Sequence, residues 1–235
     1  MTLKSNRDAL DTNDAFRRWF SPAVYSLRRT LLPVLRQRLR GDVLDVGCGA
    51  MPYRTIAGND VKSYDGLDLA PRTEDVRYVC SAMDMSPVPS DSYDTVLCSE
   101  VLEHVSHPAA AVKEMSRVLR PGGTLIVTVP FLGRLHEEPN DFQRFTEHGL
   151  RQLLADAGFV VESIEPTGTV VSFLAHQISS VLVLPSMGIP MVRWVVFALN
   201  ALFVVIPALI LDMLLAPIRR KLPLGYVVVA LNRDS

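Results

Sequence analysis

"VLDVGCGAMPYR" (residues 43–54) decides the fold. An apolar run with Asp45 set in it passes into Gly47-Cys48-Gly49. A run of that length ending in glycine reads as a buried strand. The glycines permit a tight turn and a close approach of ligand to backbone. A second acid, Asp68, follows at the tip of the next strand, "SYDGLDLA" (63–70). There a carboxylate accepts both ribose hydroxyls of an adenosine. A nicotinamide dinucleotide fits this pattern as well as other adenosine cofactors do. Pro52 argues against the dinucleotide: it replaces the third glycine of G-x-G-x-x-G, where the pyrophosphate-binding helix begins.

Working outward, "VRYVCSA" (76–82), "YDTVLCS" (93–99), "GTLIVTVP" (123–130) and "FVVESIEP" (159–166) read as further strands. Between the fourth and fifth strands, Ala111, Met115 and Val118 recur at helical spacing in 107–120. Pro108 suits the first turn of that helix, and Pro121-Gly122-Gly123 is expected to stop it. A helix over 146–158 has Thr146 as N-cap, Leu150, Leu153, Leu154 and Ala157 as its apolar stripe, and Gly158 as its stop. Strands alternating with helices predict an α/β protein with a doubly wound, mostly parallel sheet.

"LDVGCG", the Asp68 strand end, "SAMDMSPVPSDSYDTVLCSEVLEHV" and "VLRPGGTLIVTVP" together resemble the ordered motifs of class I S-adenosylmethionine-dependent methyltransferases, of the type 11-like group. The resemblance runs from about Val43 to Phe159. It implies a Rossmann-like sheet of seven strands whose last strand is antiparallel, a role "GYVVVALNR" (225–233) can fill. It also implies residue roles for S-adenosylmethionine. Asp45, Gly47 and Gly49 belong to the cofactor site, the glycines approaching the methionine part. Asp68 holds the ribose, Met83 and Asp84 sit at the adenine, and Ser99 lines the methyl-transfer site. For Asp84 the plain alternative is a turn acid in "MDMSP".

Methyl transfer is an in-line displacement at an already activated sulfonium carbon, so positioning supplies much of the catalysis. An oxygen acceptor also needs its proton removed. Ligands of open α/β sheets bind beyond the carboxyl ends of the strands. Candidates therefore follow the fourth and fifth strands: Glu100, Glu103 and His104, then His136, Glu137, Glu138, Asp141 and Arg144. His136, in a polar loop, is the favoured base, with His104 and Glu100 as further catalytic candidates. If helical, Glu100, Glu103 and His104 share a face, and His136 opposite them completes an O/N set for a divalent metal. The preferred reading is metal-free, with Glu-x-x-Glu-His securing a helix start. Arg144 with Phe142 and Phe145 either grips a substrate or anchors the loop.

The remaining segments set the organisation. Residues 1–40 form an N-terminal helical basic arm, 41–170 with 223–235 the methyltransferase domain, and 171–222 a hydrophobic helical insertion. In the arm, Val24, Leu27, Leu31 and Leu35 share a face, five arginines stand among them, and Pro33 is expected to kink the helix. Formal net charge is -1, so no global field points to nucleic acid. Three cysteines, Cys48, Cys80 and Cys98, leave a disulfide framework unsupported and fit a reducing, cytoplasmic setting. "MTLKSNRDALDTND" has no apolar core and so no secretory signal.

Within the insertion, "VVFALNALFVVIPALILDMLL" (195–215) is charge-free up to Asp212. The insertion must leave and return on one side, because the last strand rejoins the sheet. That excludes a single membrane crossing. Two crossings would put Arg193 on the far side, and Pro207 is expected to interrupt the second arm. The expectation is a helical hairpin, turning at Pro185, Gly188 and Pro190, that dips into one leaflet or lies on the membrane. A buried helix pair or a homodimer interface is the alternative. The reading is a methyltransferase, peripheral or monotopic on the cytoplasmic face, acting on oxygen of a small or lipid-linked acceptor such as an isoprenoid, a quinone or a lipid-linked sugar. Its rival from another class is a catalytically idle cofactor-binding module that docks a membrane or protein partner.

Overall fold

A computed structural model describes residues 21–183, 186 and 190–233. The expectations about a secretory signal and about a turn at Pro185 and Gly188 lie outside the described residues. The elements are α1 (Pro22–Arg38), β1 (Gly41–Val46), β2 (Val61–Asp68), β3 (Val76–Val79), β4 (Tyr93–Ser99), α2 (Pro108–Val118), β5 (Leu119–Pro130), α3 (Glu147–Asp156), β6 (Phe159–Thr169), α4 (Val170–Val183), α5 (Pro190–Asn200), α6 (Ile206–Leu214) and β7 (Pro223–Asn232).

The strands form one seven-stranded sheet in the order β3-β2-β1-β4-β5-β7-β6. β1, β2, β3, β4 and β5 pair in parallel, and β7 runs antiparallel to β5 from Thr124↔Leu231 to Pro130↔Gly225. Seven strands with an antiparallel last one are what the motifs implied. The central strands are apolar because both faces are covered: Val43, Leu44, Val96, Leu97, Leu125, Ile126 and Val127 are fully buried. α2 turns Ala111, Val112, Met115 and Val118 inward, and α3 turns Leu150 and Leu154 inward. Each large apolar side chain so buried contributes about 2 kcal/mol. Thr146 caps α3 as expected, its hydroxyl accepting from the Gly149 amide at 3.1 Å. The Asn232 amide on β7 donates to the carbonyls of Ser116 and Leu119, fixing the end of that strand.

One local expectation needs correction. α2 ends at Val118, before Pro121, and β5 begins at Leu119. Pro121-Gly122-Gly123 therefore lies inside a strand as a bulge, where the β4–β5 register shifts between Tyr93 and Thr95 and Gly122 takes φ 72. α1 carries Pro33 inside it and stays helical from Pro22 to Arg38.

The described residues fall into two compact units. The larger holds Thr30–Glu165 and the chain from Gly225 onward, with Leu31 and Leu35 of α1 fully buried in it. The smaller holds the start of α1 to Arg29 and Pro166–Leu224. In it, α4 packs along α5 and α6. Those two are joined by a π-helical turn, Ala201–Val205, so Met191–Leu214 is one continuous helix of 24 residues. Pro207 does not interrupt it, because the wider turn just before accommodates a proline with no N–H to give.

Candidate active site

The glycine loop joins β1 to a turn. Gly47 and Gly49 both take positive φ, 67 and 53. At Gly47 a Cβ would lie 2.4 Å from Val101 Cγ2, whereas beside Gly49 the space is open. One glycine thus serves packing and the other leaves room for a ligand. The amides of Gly47 and Cys48 donate to the Leu67 carbonyl at 2.7 and 3.1 Å, tying the loop to the end of β2. Asp68 then reaches back. Its Oδ2 accepts from the Gly49 amide at 2.8 Å and its Oδ1 from the Ala70 amide at 2.9 Å. Between this loop and β2 stands only a short 3-10 turn, Arg54–Ile56. The helix that would receive a pyrophosphate does not form after Pro52.

Asp45, one residue before the end of β1, is buried. Burial lifts its pKa to about 7, opposed by the Tyr64 hydroxyl, which donates to it at 2.7 Å, and reinforced by nearby Asp68. The same burial, with Asp45 and Asp68 adding, pushes the Cys48 thiol up to about 12, so Cys48 is no nucleophile. Met83 and Asp84 lie exposed on a tight turn after β3. Asp84 Oδ1 accepts from the Ser86 amide at 3.1 Å, and Met83 Sδ accepts from the Ser106 hydroxyl at 3.5 Å. One Asp84 oxygen thus serves the turn, and the other is left over.

The parallel register puts Ser99 beside Thr128 at the carboxyl ends of β4 and β5. Their hydroxyls lie 3.0 Å apart, and the Thr128 hydroxyl donates to Glu100 Oε1 at 2.9 Å. Glu100 takes φ 56, a left-handed conformation that a non-glycine residue adopts at a cost. It precedes the 3-10 turn Leu102–His104 and is not on it. The expected helical face shared by Glu100, Glu103 and His104 therefore does not exist. Glu103, His104 and His136 come together instead, with one ligand atom from each lying within 4.8 Å of the others.

The chemistry of this trio follows from its bonds. The Glu103 side chain has no exposure, and neither of its oxygens has a hydrogen-bond partner. Burial and the neighbouring Glu100 raise its pKa, and burial also raises that of Glu100 against the Thr128 hydrogen bond. His104 Nδ1 lies 2.9 Å from the Asn140 carbonyl and His136 Nδ1 lies 3.1 Å from the Arg134 carbonyl. A carbonyl only accepts, so each neutral ring carries its proton on Nδ1 and a lone pair on Nε2. The two rings stand edge to face with centroids 4.6 Å apart. The loop that carries His136 is held by Asp141. It accepts from the His136 amide at 3.0 Å and from Arg144 at 2.5 and 2.8 Å, and that guanidinium holds its pKa down at about 2. Arg144 also donates to the Arg134 and Gln143 carbonyls, so it anchors the loop.

Thr128, Tyr64 and the Asn140 carbonyl were missed in the sequence. Thr128 carried a signal: it and Ser99 are hydroxyls near the ends of adjacent parallel strands. Nothing in the sequence marked the other two.

A doubly wound sheet ordered 3-2-1-4-5-7-6, with a glycine loop after β1 and an acid at the end of β2 tied to that loop, defines the Rossmann-like methyltransferase class. A family model described as a methyltransferase domain matches residues 16–164, and the chain belongs to that family, within the class I S-adenosylmethionine-dependent methyltransferases. It is 33% identical over 131 residues to the ubiquinone biosynthesis O-methyltransferase of Xanthomonas campestris, covering 50% of each chain. It is 28% identical over 193 residues to a 37.1 kDa transposon protein of Streptomyces fradiae, covering 69% of this chain and 54% of that one. The chain spans about half the length of these curated relatives. Among solved structures, the methyltransferase in complex with the Trm112 activator of Haloferax volcanii superposes with TM-score 0.60 at 18% identity, over 100% of this chain and 99% of that one. Phosphoethanolamine N-methyltransferase 2 of Haemonchus contortus, in complex with S-adenosylmethionine, gives 0.56 at 16%, over 88% and 53%. At such identities the likeness shows the fold alone.

Proposed function

We propose that this chain transfers the methyl group of S-adenosylmethionine to an oxygen of a small acceptor. The observation that carries the reading is the convergence of Glu103, His104 and His136 beyond the carboxyl ends of β4 and β5. When bound, the cofactor supplies an electrophilic methyl group on a sulfonium. The open space beside Gly49 and the left-over lone pairs of Asp68 fit its methionine and ribose parts. Ser99 and Thr128 supply hydroxyls at the strand ends. The lone pair on His136 Nε2 takes the acceptor's proton, while the Arg134 carbonyl holds the ring in the right tautomer. An oxygen acceptor is also what the ubiquinone biosynthesis O-methyltransferases act through by name. A phenol or hydroxyl on a lipophilic or lipid-linked body, such as a quinone, an isoprenoid or a lipid-linked sugar, is the acceptor class we favour.

A divalent cation is a second element of the proposal, favoured by the unpartnered carboxylate of Glu103. One buried carboxylate and two imidazoles whose Nδ1 atoms are held by backbone carbonyls form a donor set that fits such an ion. Bound there, it would favour the deprotonated form of the acceptor.

The test is incubation with methyl-labelled S-adenosylmethionine and a panel of phenolic, quinol and lipid-linked sugar acceptors. Label on an acceptor oxygen supports the proposal. Tight cofactor binding with no transfer to any member would favour an idle binding module that docks a membrane or protein partner, and label on nitrogen would overturn the oxygen assignment.

A further inference from the structure

The helical unit of residues 170–214 is built inside out for water. Among its described residues every exposed side chain is apolar, including Ile178, Met191, Trp194, Leu199, Phe203 and Leu214. Of its polar side chains, Ser172, Ser179, Asn200 and Asp212 are at most 5 % exposed, and His176, Gln177, Ser180 and Arg193 are partly buried. A helix pair in water puts its polar stripe outside. Helices in lipid put small and polar residues at their contacts and apolar ones outward. Ala175 and Ala208 are buried here too.

The charges follow the same logic. From Val170 to Leu222 the only acid is Asp212, against Arg193, Arg219, Arg220 and Lys221. Asp212 is tied off inside the unit, its Oδ1 accepting from the hydroxyls of Thr169 at 2.6 Å and Ser172 at 3.0 Å, with Arg219 at 3.7 Å from Oδ2. The exposed face therefore carries no negative charge, and basic residues stand near both ends of the long helix. At one end the Arg193 guanidinium lies 5.5 Å over the Trp194 ring, a pair suited to headgroup depth.

Length and topology fix the mode. Met191–Leu214 has 24 residues, roughly 36 Å of helix, and α4 has 14, roughly 21 Å against a hydrocarbon core of about 30 Å. α4 is too short to cross. The segment also leaves β6 and re-enters β7, its neighbour in the same sheet. We infer that residues 170–222 form a monotopic anchor, a helix pair lying within one leaflet of an anionic bilayer, with Arg193 and Arg219–Lys221 at its headgroups. The inference is independent of the methyl-transfer reading.

The full chain, kept in mild detergent and diluted into vesicles, tests it. Flotation is compared between phosphatidylcholine alone and phosphatidylcholine with phosphatidylglycerol. The chain should float with both and bind the anionic vesicles more tightly. The pair Arg220→Gln and Lys221→Gln should weaken anionic binding roughly 30-fold and leave binding to phosphatidylcholine unchanged. With Trp19→Phe leaving one tryptophan, lipids brominated on the acyl chain should quench Trp194. Phe203→Glu, at a position 68 % exposed, should abolish flotation without unfolding the sheet, checked by retained S-adenosylmethionine binding. A chain that stays soluble without detergent, runs as a compact dimer and ignores vesicles would overturn the inference in favour of an interface between copies. Equal binding to both vesicle types, unchanged by the two glutamines, would overturn the anionic assignment.

Discussion

The Gly49 amide donates to the Asp68 carboxylate at 2.8 Å, so the loop after β1 and the tip of β2 are held as one piece. Asp68 shapes the loop and, in the proposed mode of cofactor binding, would also hold the ribose. Asp68→Ala should therefore weaken S-adenosylmethionine by about 1–3 kcal/mol, through lost ribose bonds and a loosened loop. Asp68→Asn keeps the shape and should lose less. Calorimetric titration of the three proteins checks this, and NADH should not bind any of them.

His136→Ala should cut turnover on a true acceptor at least a hundredfold while S-adenosylmethionine affinity stays within about twofold, because a base acts only as the proton leaves. Equal turnover in the variant would remove His136 from the mechanism. Thorough chelation separates the two versions of the site: a drop in activity restored by one divalent cation supports the ion, and full activity after chelation dismisses it.

Glu103→Gln should stabilise the protein and inactivate it. A buried carboxylate whose pKa is raised costs nothing below the ordinary carboxylate range and destabilises progressively as pH rises through it. Thermal unfolding without divalent ions should show the variant melting higher at about pH 8 and level with the parent near pH 4. Added manganese should raise the parent's midpoint and leave the variant's unchanged.

Asp141 has the opposite sign. Its pKa is lowered to about 2, so its contribution is present above the ordinary carboxylate range and disappears as pH falls from about 4 to about 2. Asp141→Asn should cost about 2 kcal/mol at neutral pH and flatten that acid limb. Denaturant unfolding at two pH values reads the difference. Turnover should fall with it, since the His136 amide loses a charged acceptor.

Much of this was legible in the chain. The alternation of apolar runs with helical spacing marked six of the seven strands, the resemblance supplied the last, and Thr146 marked the start of α3. The glycine loop, the acid of β2 and the loop histidine were visible because each needs a particular residue type. What escaped depends on the backbone between elements. Glu-x-x-Glu-His looks helical by spacing, but Glu100 turns left-handed against Thr128 and leaves the pattern. Pro121-Gly122-Gly123 looks like a stop, but the pairing of Leu119 with Tyr93 and of Thr124 with Thr95 carries β5 across it. Pro207 looks like a break, but the π turn Ala201–Val205 just before it lets the helix run on.

The position of β7 sets an order of events in synthesis. It lies between β5 and β6, although residues 170–222 precede it in the chain. Until Pro223–Asn232 emerge, β5 is an open edge and β6 has no neighbour at all. At about 5–20 residues per second, that interval lasts roughly 3–13 s after β6 is made. The greasy helices are thus exposed to their surroundings before the sheet can close. Where they settle in those seconds is decided while the rest of the molecule is still incomplete, so a nascent chain stripped of lipid should aggregate through the open β5 edge sooner than a finished one.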